Sequence, residues 1–273
     1  MAEREGRGFS ARRMPGFAGV AALVFAVLYA PIALLALYSL NAGASVAIWE
    51  GFSARWYEAA WRDGAIQAAT LRSLGIAAFA ALASTVLATM AALATTRVPG
   101  PPTRGRTLAL AVINLPLMAP EIVTGIALLI FFAILKVATG YAGMGYLYLA
   151  HTAFCIPFAF LPIRGRLQDM DPALEAAAAD LYATPGRAFR HVTLPLLGPG
   201  ILAGLMLAFV VSLDDVVITQ LVAGPGQETL PIYMLGQLRR AATPEINAVS
   251  TALLAASVLA VSLLFALNRD KVE

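Results

Sequence analysis

The chain of 273 residues is 60% hydrophobic and only 13% charged, with a mean hydropathy of +0.77. Soluble globules carry about 25% charged residues, so this composition excludes a water-soluble fold and places the chain in a bilayer. The net charge of +3 is dispersed over segments between apolar runs, which excludes a nucleic-acid interface.

Residues 1–16 contain Arg4, Arg7, Arg12 and Arg13 and read as a cytoplasmic tail. A helix needs about 20 apolar residues to cross a hydrocarbon core of about 30 Å. Six runs qualify, at about 17–40, 68–96, 107–135, 145–163, 200–222 and 246–267. The expectation is an all-α polytopic membrane protein with six transmembrane helices over 17–267, membrane lipid around it, and a cytoplasmic tail at 268–273. The first run is too long for a secretory h-region and lacks a cleavage site, so it reads as a retained helix. Trp49, Trp56, Tyr57 and Trp61 follow it; they suit an outer aromatic belt, or alternatively a docking surface or cation-holding vestibule.

The third run carries Glu121 near its middle, within "NLPLMAPEIVTG". Pro116 and Pro120 beside it remove backbone donors and kink a helix, and freed carbonyls next to a carboxylate suit a cation. The fourth run, with His151, Cys155, Pro157 and Pro162, is the one expected to be broken. His151 reads as a hydrogen-bonded interfacial residue rather than a metal ligand. Cys155, the single cysteine, reads as a small packed hydrophobe, and no disulfide framework is possible.

A polar insert then separates two apolar runs, from Arg164 to about Gly198. In "DPALEAAAADLYATPGRAFRHVTLPL", Asp171 is placed as N-cap and Pro172 at the first helical position, and the Ala-rich run favours helix to near Ala183. Pro185 disfavours helical geometry at Thr184, which then caps a second short helix expected to stop before Pro195. The small alanines permit close approach of another surface, with Leu181 and Phe189 as apolar anchors.

The fifth run holds Asp214 and Asp215 about two-thirds of the way along. A charge inside a membrane helix costs something like 2.5–3.5 kcal/mol and normally faces a protein interior or a watery path, which makes Asp214, Asp215 and Glu121 candidates for a substrate path. The alternative is that they pair with Arg72, which lies in the second run, or serve packing. Neighbouring helical residues point about 100° apart, so one aspartate is expected to line the path while the other caps or meets a partner. In "TPEINA", Thr243 is placed as cap with Pro244 opening the sixth helix and Glu245 in its first turn.

Placing both ends inside puts thirteen basic residues in the cytoplasm: Arg4, Arg7, Arg12, Arg13, Arg97, Arg104, Arg106, Arg164, Arg166, Arg187, Arg190, Arg269 and Lys271. Five remain outside, namely Arg55, Arg62, Lys136, Arg239 and Arg240. The bias favours cytoplasmic termini. Enzymatic equipment is missing from the sequence. The only lysines, Lys136 and Lys271, follow Leu135 and Asp270, so no Walker A Gly-Lys pair exists, and neither H-E-x-x-H nor G-x-S-x-G occurs. The expectation is a non-catalytic chain with no metal and no cofactor of its own.

The insert resembles the EAA loop of type I ATP-binding-cassette importer permeases, a pattern of EAA, DLGA, a hydrophobic stretch and LP. "AAAADLYATPGRAFRHVTLP" matches it at Ala177, Ala178, Asp180, Leu181, Ala183, Val192, Leu194 and Pro195. Two positions depart: the family's glutamate falls on Ala176, one residue after Glu175, and its glycine falls on Tyr182. "FSARWYEAAWRD", "LPLMAPEIVTGIALL", "SLDDVVITQLVAGPGQETLPIYML" and "TPEINAVST" further resemble the second permease subunit of spermidine/putrescine uptake systems, over about 49–251.

That resemblance implies a type I importer permease fold in the bacterial inner membrane. It further implies a homologous partner permease across a pseudo-twofold axis, two cytoplasmic ATPase subunits that bind the ATP, and a periplasmic solute-binding protein. Glu175, Ala177, Ala178, Asp180, Leu181, Phe189, Leu194 and Pro195 would couple to the ATPase, and a polyamine would meet Asp214, Asp215 and Glu121. Two other readings stay open: a permease of the same superfamily for an opine, an amino-acid derivative or an iron complex, and a secondary transporter driven by an ion gradient.

Overall fold

The computed structural model describes residues 17–45, 48–98, 100–101, 103–240 and 244–269. Arg4, Arg7, Arg12, Arg13, Thr243 and Lys271 lie outside the described residues. Every regular element described is a helix, apart from one isolated antiparallel bridge between Asn41 and Phe52. The chain divides into two compact units, one formed by the segment up to Arg62 with 240–255, the other by 63–239 with 256–273.

In the first unit, α1 (Phe17–Tyr38) buries none of its side chains. The connection after it folds around Asn41, which is fully buried. Asn41 Nδ2 donates to the carbonyls of Ser45 and Ile48, and its Oδ1 accepts from the amides of Gly43 and Glu50. Trp56 Nε1 donates to the Asn41 carbonyl at 2.9 Å, and the Tyr57 and Ser39 hydroxyls share a bond of 2.7 Å. Trp56 and Tyr57, at the start of α2 (Arg55–Arg62), therefore hold this connection in shape, while Trp61 is 79% exposed.

The second unit is built on α3 (Gly64–Thr96), α6 (Gly145–Asp169) and α9 (Leu194–Asp214). Asp63 opens α3 by accepting from the amides of Ala65 and Ile66. The common core is alanine on one side, with Ala77, Ala80, Ala88 and Ala92 of α3, and larger on the other, with Phe160, Ile163 and Leu167 of α6 and Leu197 of α9. In lipid no hydrophobic drive brings helices together, so small residues that let backbones approach and gain dispersion contacts must do it. Gly200 and Gly204 of α9 do this against α6, since a Cβ on Gly204 would stand 2.7 Å from the Ala159 carbonyl oxygen.

α6 runs unbroken through Pro157 and Pro162, where a break was expected. Pro157 is fully buried, and packing of this kind over-rides the local cost of proline inside a membrane bundle. The expected third helix over 107–135 is instead two, α4 (Arg104–Met118) and α5 (Glu121–Thr139). The expected fifth, over 200–222, is α9 followed by α10 (Val217–Val222). Among the described residues, five helices are long and apolar enough to cross a membrane, Phe17–Tyr38, Gly64–Thr96, Glu121–Thr139, Gly145–Asp169 and Pro185–Asp214, with a shorter apolar helix at Pro244–Leu259.

After α10, a loop turns at Gly226 (φ 75°) and enters α11 (Leu230–Arg240), and α12 (Pro244–Arg269) closes the chain. Arg72 of α3 straps this loop, its Nη1 donating to the carbonyls of Gly226 at 2.5 Å and Glu228 at 3.0 Å. Ser73 beside it accepts from the Leu230 amide. Arg72 thus partners backbone oxygens, and the pairing with an intramembrane carboxylate allowed by the sequence is not made.

Candidate functional site

Two regions carry the residues singled out by sequence. The first is where the two helix breaks meet. Pro120 disfavours helical geometry in the residue before it, and Ala119 is extended (φ −82°, ψ 143°), so α4 ends and α5 restarts at Glu121. Glu121 is therefore not mid-helix but the first residue of α5, where the helix dipole favours a carboxylate.

The break after α9 has a different cause. Asp215 is extended (φ −64°, ψ 132°) and turns its carboxylate on the next helix: Oδ1 accepts from the Ile218 amide at 3.1 Å, and Oδ2 accepts from the Thr219 amide and hydroxyl, both at 2.8 Å. An aspartate offers the backbone this capped alternative to a continuous helix, and it does so even inside an apolar run. α5 and α10 lie close enough that a Cβ on Gly125 would meet Leu221 Cδ1 at 2.6 Å.

Behind Asp215 lies His151 of α6, fully buried. Its Nε2 is 3.0 Å from Thr219 Oγ1 and 3.6 Å from Asp215 Oδ2, and its Nδ1 is 2.8 Å from Ser212 Oγ. The Thr219 hydroxyl gives its one proton to Asp215, so it must accept from His151 Nε2–H. Ser212 then donates to Nδ1. His151 is hydrogen-bonded as expected, but inside the chain and not at an interface. Sequence reasoning left it, Ser212 and Thr219 out of the site, although a histidine within a membrane-length apolar run was itself a signal.

The three carboxylates therefore differ in setting. Asp215 is 5% exposed and engaged on all sides, whereas Asp214 and Glu121 are exposed on the surface of this chain.

The second region is the polar insert. Asp171 Oδ1 accepts from the Ala173 amide at 2.9 Å and opens α7 (Ala173–Asp180), which ends three residues before the predicted Ala183. Tyr182 follows at φ 58°, in the left-handed conformation that favours glycine, with its ring 94% exposed. The backbone thus keeps the turn of the family pattern although the residue there is tyrosine. Thr184 precedes α8 (Pro185–Ala188) in extended geometry but makes no side-chain cap bond.

No stop occurs before Pro195. A π turn, Phe189–Thr193, joins α8 directly to α9, giving one helical run over Pro185–Asp214. Leu194 and Pro195 follow the π turn directly inside this run. Leu181 is 82% exposed, and Ala177, Asp180, Phe189, Leu194 and Pro195 are also on the surface. Ala178 and Glu175 are half-buried. Glu175 accepts from Thr193 Oγ1 at 2.9 Å and lies 3.3 Å from Arg97 Nε. Among the described residues no cluster of three or more His, Cys, Asp or Glu side chains could hold a metal.

A bundle of membrane-length helices with broken segments and a polar inserted helix defines a transport permease. Residues 84–269 match the family of binding-protein-dependent transport system inner membrane components, and the chain belongs to that family. It is the non-catalytic membrane subunit of an ATP-binding-cassette importer, a multi-pass protein of the inner membrane. It is similar to the putrescine transport system permease protein PotI of Escherichia coli, at 42% identity over 86% of this chain and 84% of that protein. The spermidine/putrescine transport system permease proteins PotC of Escherichia coli and Haemophilus influenzae are 32% and 34% identical, over 93% and 88% of this chain and 94% and 91% of theirs. The fold matches a chain of a bacterial ABC transporter involved in the import of the acidic polysaccharide alginate, with a TM-score of 0.69 and 13% identity, over 95% of this chain and 97% of that one.

Proposed function

We propose that this chain is a polyamine permease, taking putrescine or spermidine and forming half of the translocation path. The observation that carries the reading is the pair of exposed carboxylates at the helix breaks, Asp214 ending α9 and Glu121 opening α5. A polyamine carries two or more ammonium groups, and each needs opposite charge when it leaves water. Asp214 and Glu121 supply that charge to the cargo, and Asp215 holds the break from behind with His151. The names of the relatives at 32–42% identity support the cargo class.

The path is completed by a homologous permease on the exposed carboxylate face, and a periplasmic binding protein delivers cargo from outside. Two cytoplasmic ATPase subunits bind the ATP and dock on the insert at 164–198, against Leu181 and the exposed alanines of α7. The termini lie in the cytoplasm, as the distribution of Arg and Lys favours. Closure of the ATPases moves the insert, and its continuous run into α9 carries that movement to Asp214.

The test is uptake of labelled putrescine and spermidine in cells lacking their own importers, with all neighbouring subunits expressed and this chain wild type or altered. Asp214→Asn and Glu121→Gln are expected to lower uptake by about tenfold through a raised KM, which corresponds to losing about 1.4 kcal/mol of cargo binding. Wild-type complex that hydrolyses ATP yet moves no polyamine would assign the chain another cargo.

A further inference from the structure

α7 buries none of its side chains. A helix without an apolar face in the core is not positioned by packing, so its placement against the membrane helices rests on polar contacts. Within the second unit those contacts converge on one carboxylate. Glu175, in the first turn of α7, accepts from the Thr193 hydroxyl of the π turn at 2.9 Å and lies 3.3 Å from Nε of Arg97, both on the same oxygen, Oε1. Arg97 is the C-cap residue of α3, its own amide bonded to the Leu93 carbonyl. Thr193 is buried and immediately precedes α9.

The pair is mostly withdrawn from solvent, with side-chain exposures of 20% for Arg97 and 28% for Glu175. Arg97 Nε and Nη2 are both buried and form no hydrogen bond with a described group, so the guanidinium meets Glu175 as an ion pair and not through a directed hydrogen bond. Removing one member of such a pair leaves the other charge stranded, which costs more than the pair contributes. The carboxylate is also turned into its own chain, whereas the neighbouring Leu181 and Tyr182 project outward at 82% and 94% exposure.

We infer that Arg97 and Glu175 form an internal strut that transmits movement of α7 to the cytoplasmic ends of α3 and α9, with Glu175 serving as a positioning residue for coupling and not as a contact of the ATPase. The inference deepens the coupling role proposed for the insert and rests on that reading. α3 and α9 pack on α6 to make the core, so a push at Glu175 reaches two of the three central helices at once. The one-residue offset of Glu175 from the family's glutamate position has a physical meaning here: a rotation of about 100° turns the carboxylate from the outer face of α7 towards Arg97.

The experiment uses the complete complex in proteoliposomes, with both permeases, the ATPases and the binding protein, and reads putrescine accumulated per ATP hydrolysed. Arg97→Gln and Glu175→Gln are each expected to lower that ratio about five- to tenfold, the lower range of coupling between distant sites, while the ATPase copurifies at wild-type yield. The double variant should be no worse than either single one, because the two residues act as one element. The charge reversal R97E/E175R should restore the ratio. Thr193→Val, which removes only the hydroxyl, should lower the ratio in the wild-type background and change nothing further in Glu175→Gln; this arm needs no reversed charge to fold.

Additive losses in the double variant would overturn the strut. So would loss of ATPase copurification in Glu175→Gln with Arg97→Gln unaffected, because Glu175 would then serve the ATPase directly. Wild-type vesicles separate the two levels: ATP hydrolysis without putrescine uptake overturns the polyamine cargo alone, and the strut is then overturned if Arg97→Gln, Glu175→Gln and the double variant do not lower the stimulation of ATP hydrolysis by the binding protein to the same extent.

Discussion

At the scale of single residues, the consequential placements are those that combine burial with polarity. His151 joins Ser212, Thr219 and Asp215 where no water reaches, and in a low dielectric each of these groups depends on the others. His151→Leu would fit the volume but strand the Ser212 and Thr219 hydroxyls, at about 1–3 kcal/mol for each unsatisfied group. The expected outcome is a drop in Tm of the detergent-solubilised complex of about 5 °C or more, followed by loss of transport because the cap on α10 loosens. His151→Asn, which keeps a donor and an acceptor, should lose less. Asp214, one residue away from Asp215, has no such internal employment: it ends α9, whereas the extended backbone of Asp215 turns the next carboxylate onto the amides of α10.

At the scale of elements, the two breaks share a position in the fold but differ in origin. The α4–α5 break is steric, set by Pro120 acting on Ala119, whereas the α9–α10 break is made by a side chain competing with the helix. Each leaves a carboxylate at a helix terminus and not along a helix face. The packing of α9 on α6 relies on Gly200 and Gly204, where any side chain collides with backbone oxygen or with Ile163. Gly204→Leu should therefore cost about 1–3 kcal/mol or more through overpacking, visible as a lower yield of assembled complex and a lower Tm, with Gly204→Ala between it and wild type. The join of α8 to α9 through the π turn makes residues from Pro185 to Asp214 one helical run between the polar insert and the carboxylate end.

For the whole molecule, the central prediction concerns orientation. The chain has one cysteine, Cys155, which is fully buried with its Sγ bonded to the Ala208 carbonyl, so an introduced thiol can be read against a silent background. Gly186→Cys, at an exposed position in α8 with open space where its Cβ would stand, should react with a membrane-impermeant maleimide in inside-out vesicles and not in intact spheroplasts. Labelling from the periplasmic side would invert the topology and remove the insert from reach of any cytoplasmic ATPase.

The sequence by itself determined the class of molecule, the position of most helices and the existence of the polar insert, because hydropathy over 20 residues and cap signals over four are local quantities. It also determined that Asp214, Asp215 and Glu121 needed an explanation, since a charge within an apolar run is visible without a fold. Only the tertiary structure decided that Pro31, Pro116, Pro157 and Pro162 stay inside their helices while Pro120 breaks its own, because a proline weakens a helix locally without dictating where it ends. It alone brought His151 to Asp215 across 64 positions of sequence and Arg97 to Glu175 across 78, and gave Arg72 to loop carbonyls instead of to an acid. Partner choice among charges is a nonlocal quantity: it is fixed by which helices the core brings together, and no spacing along the chain encodes it.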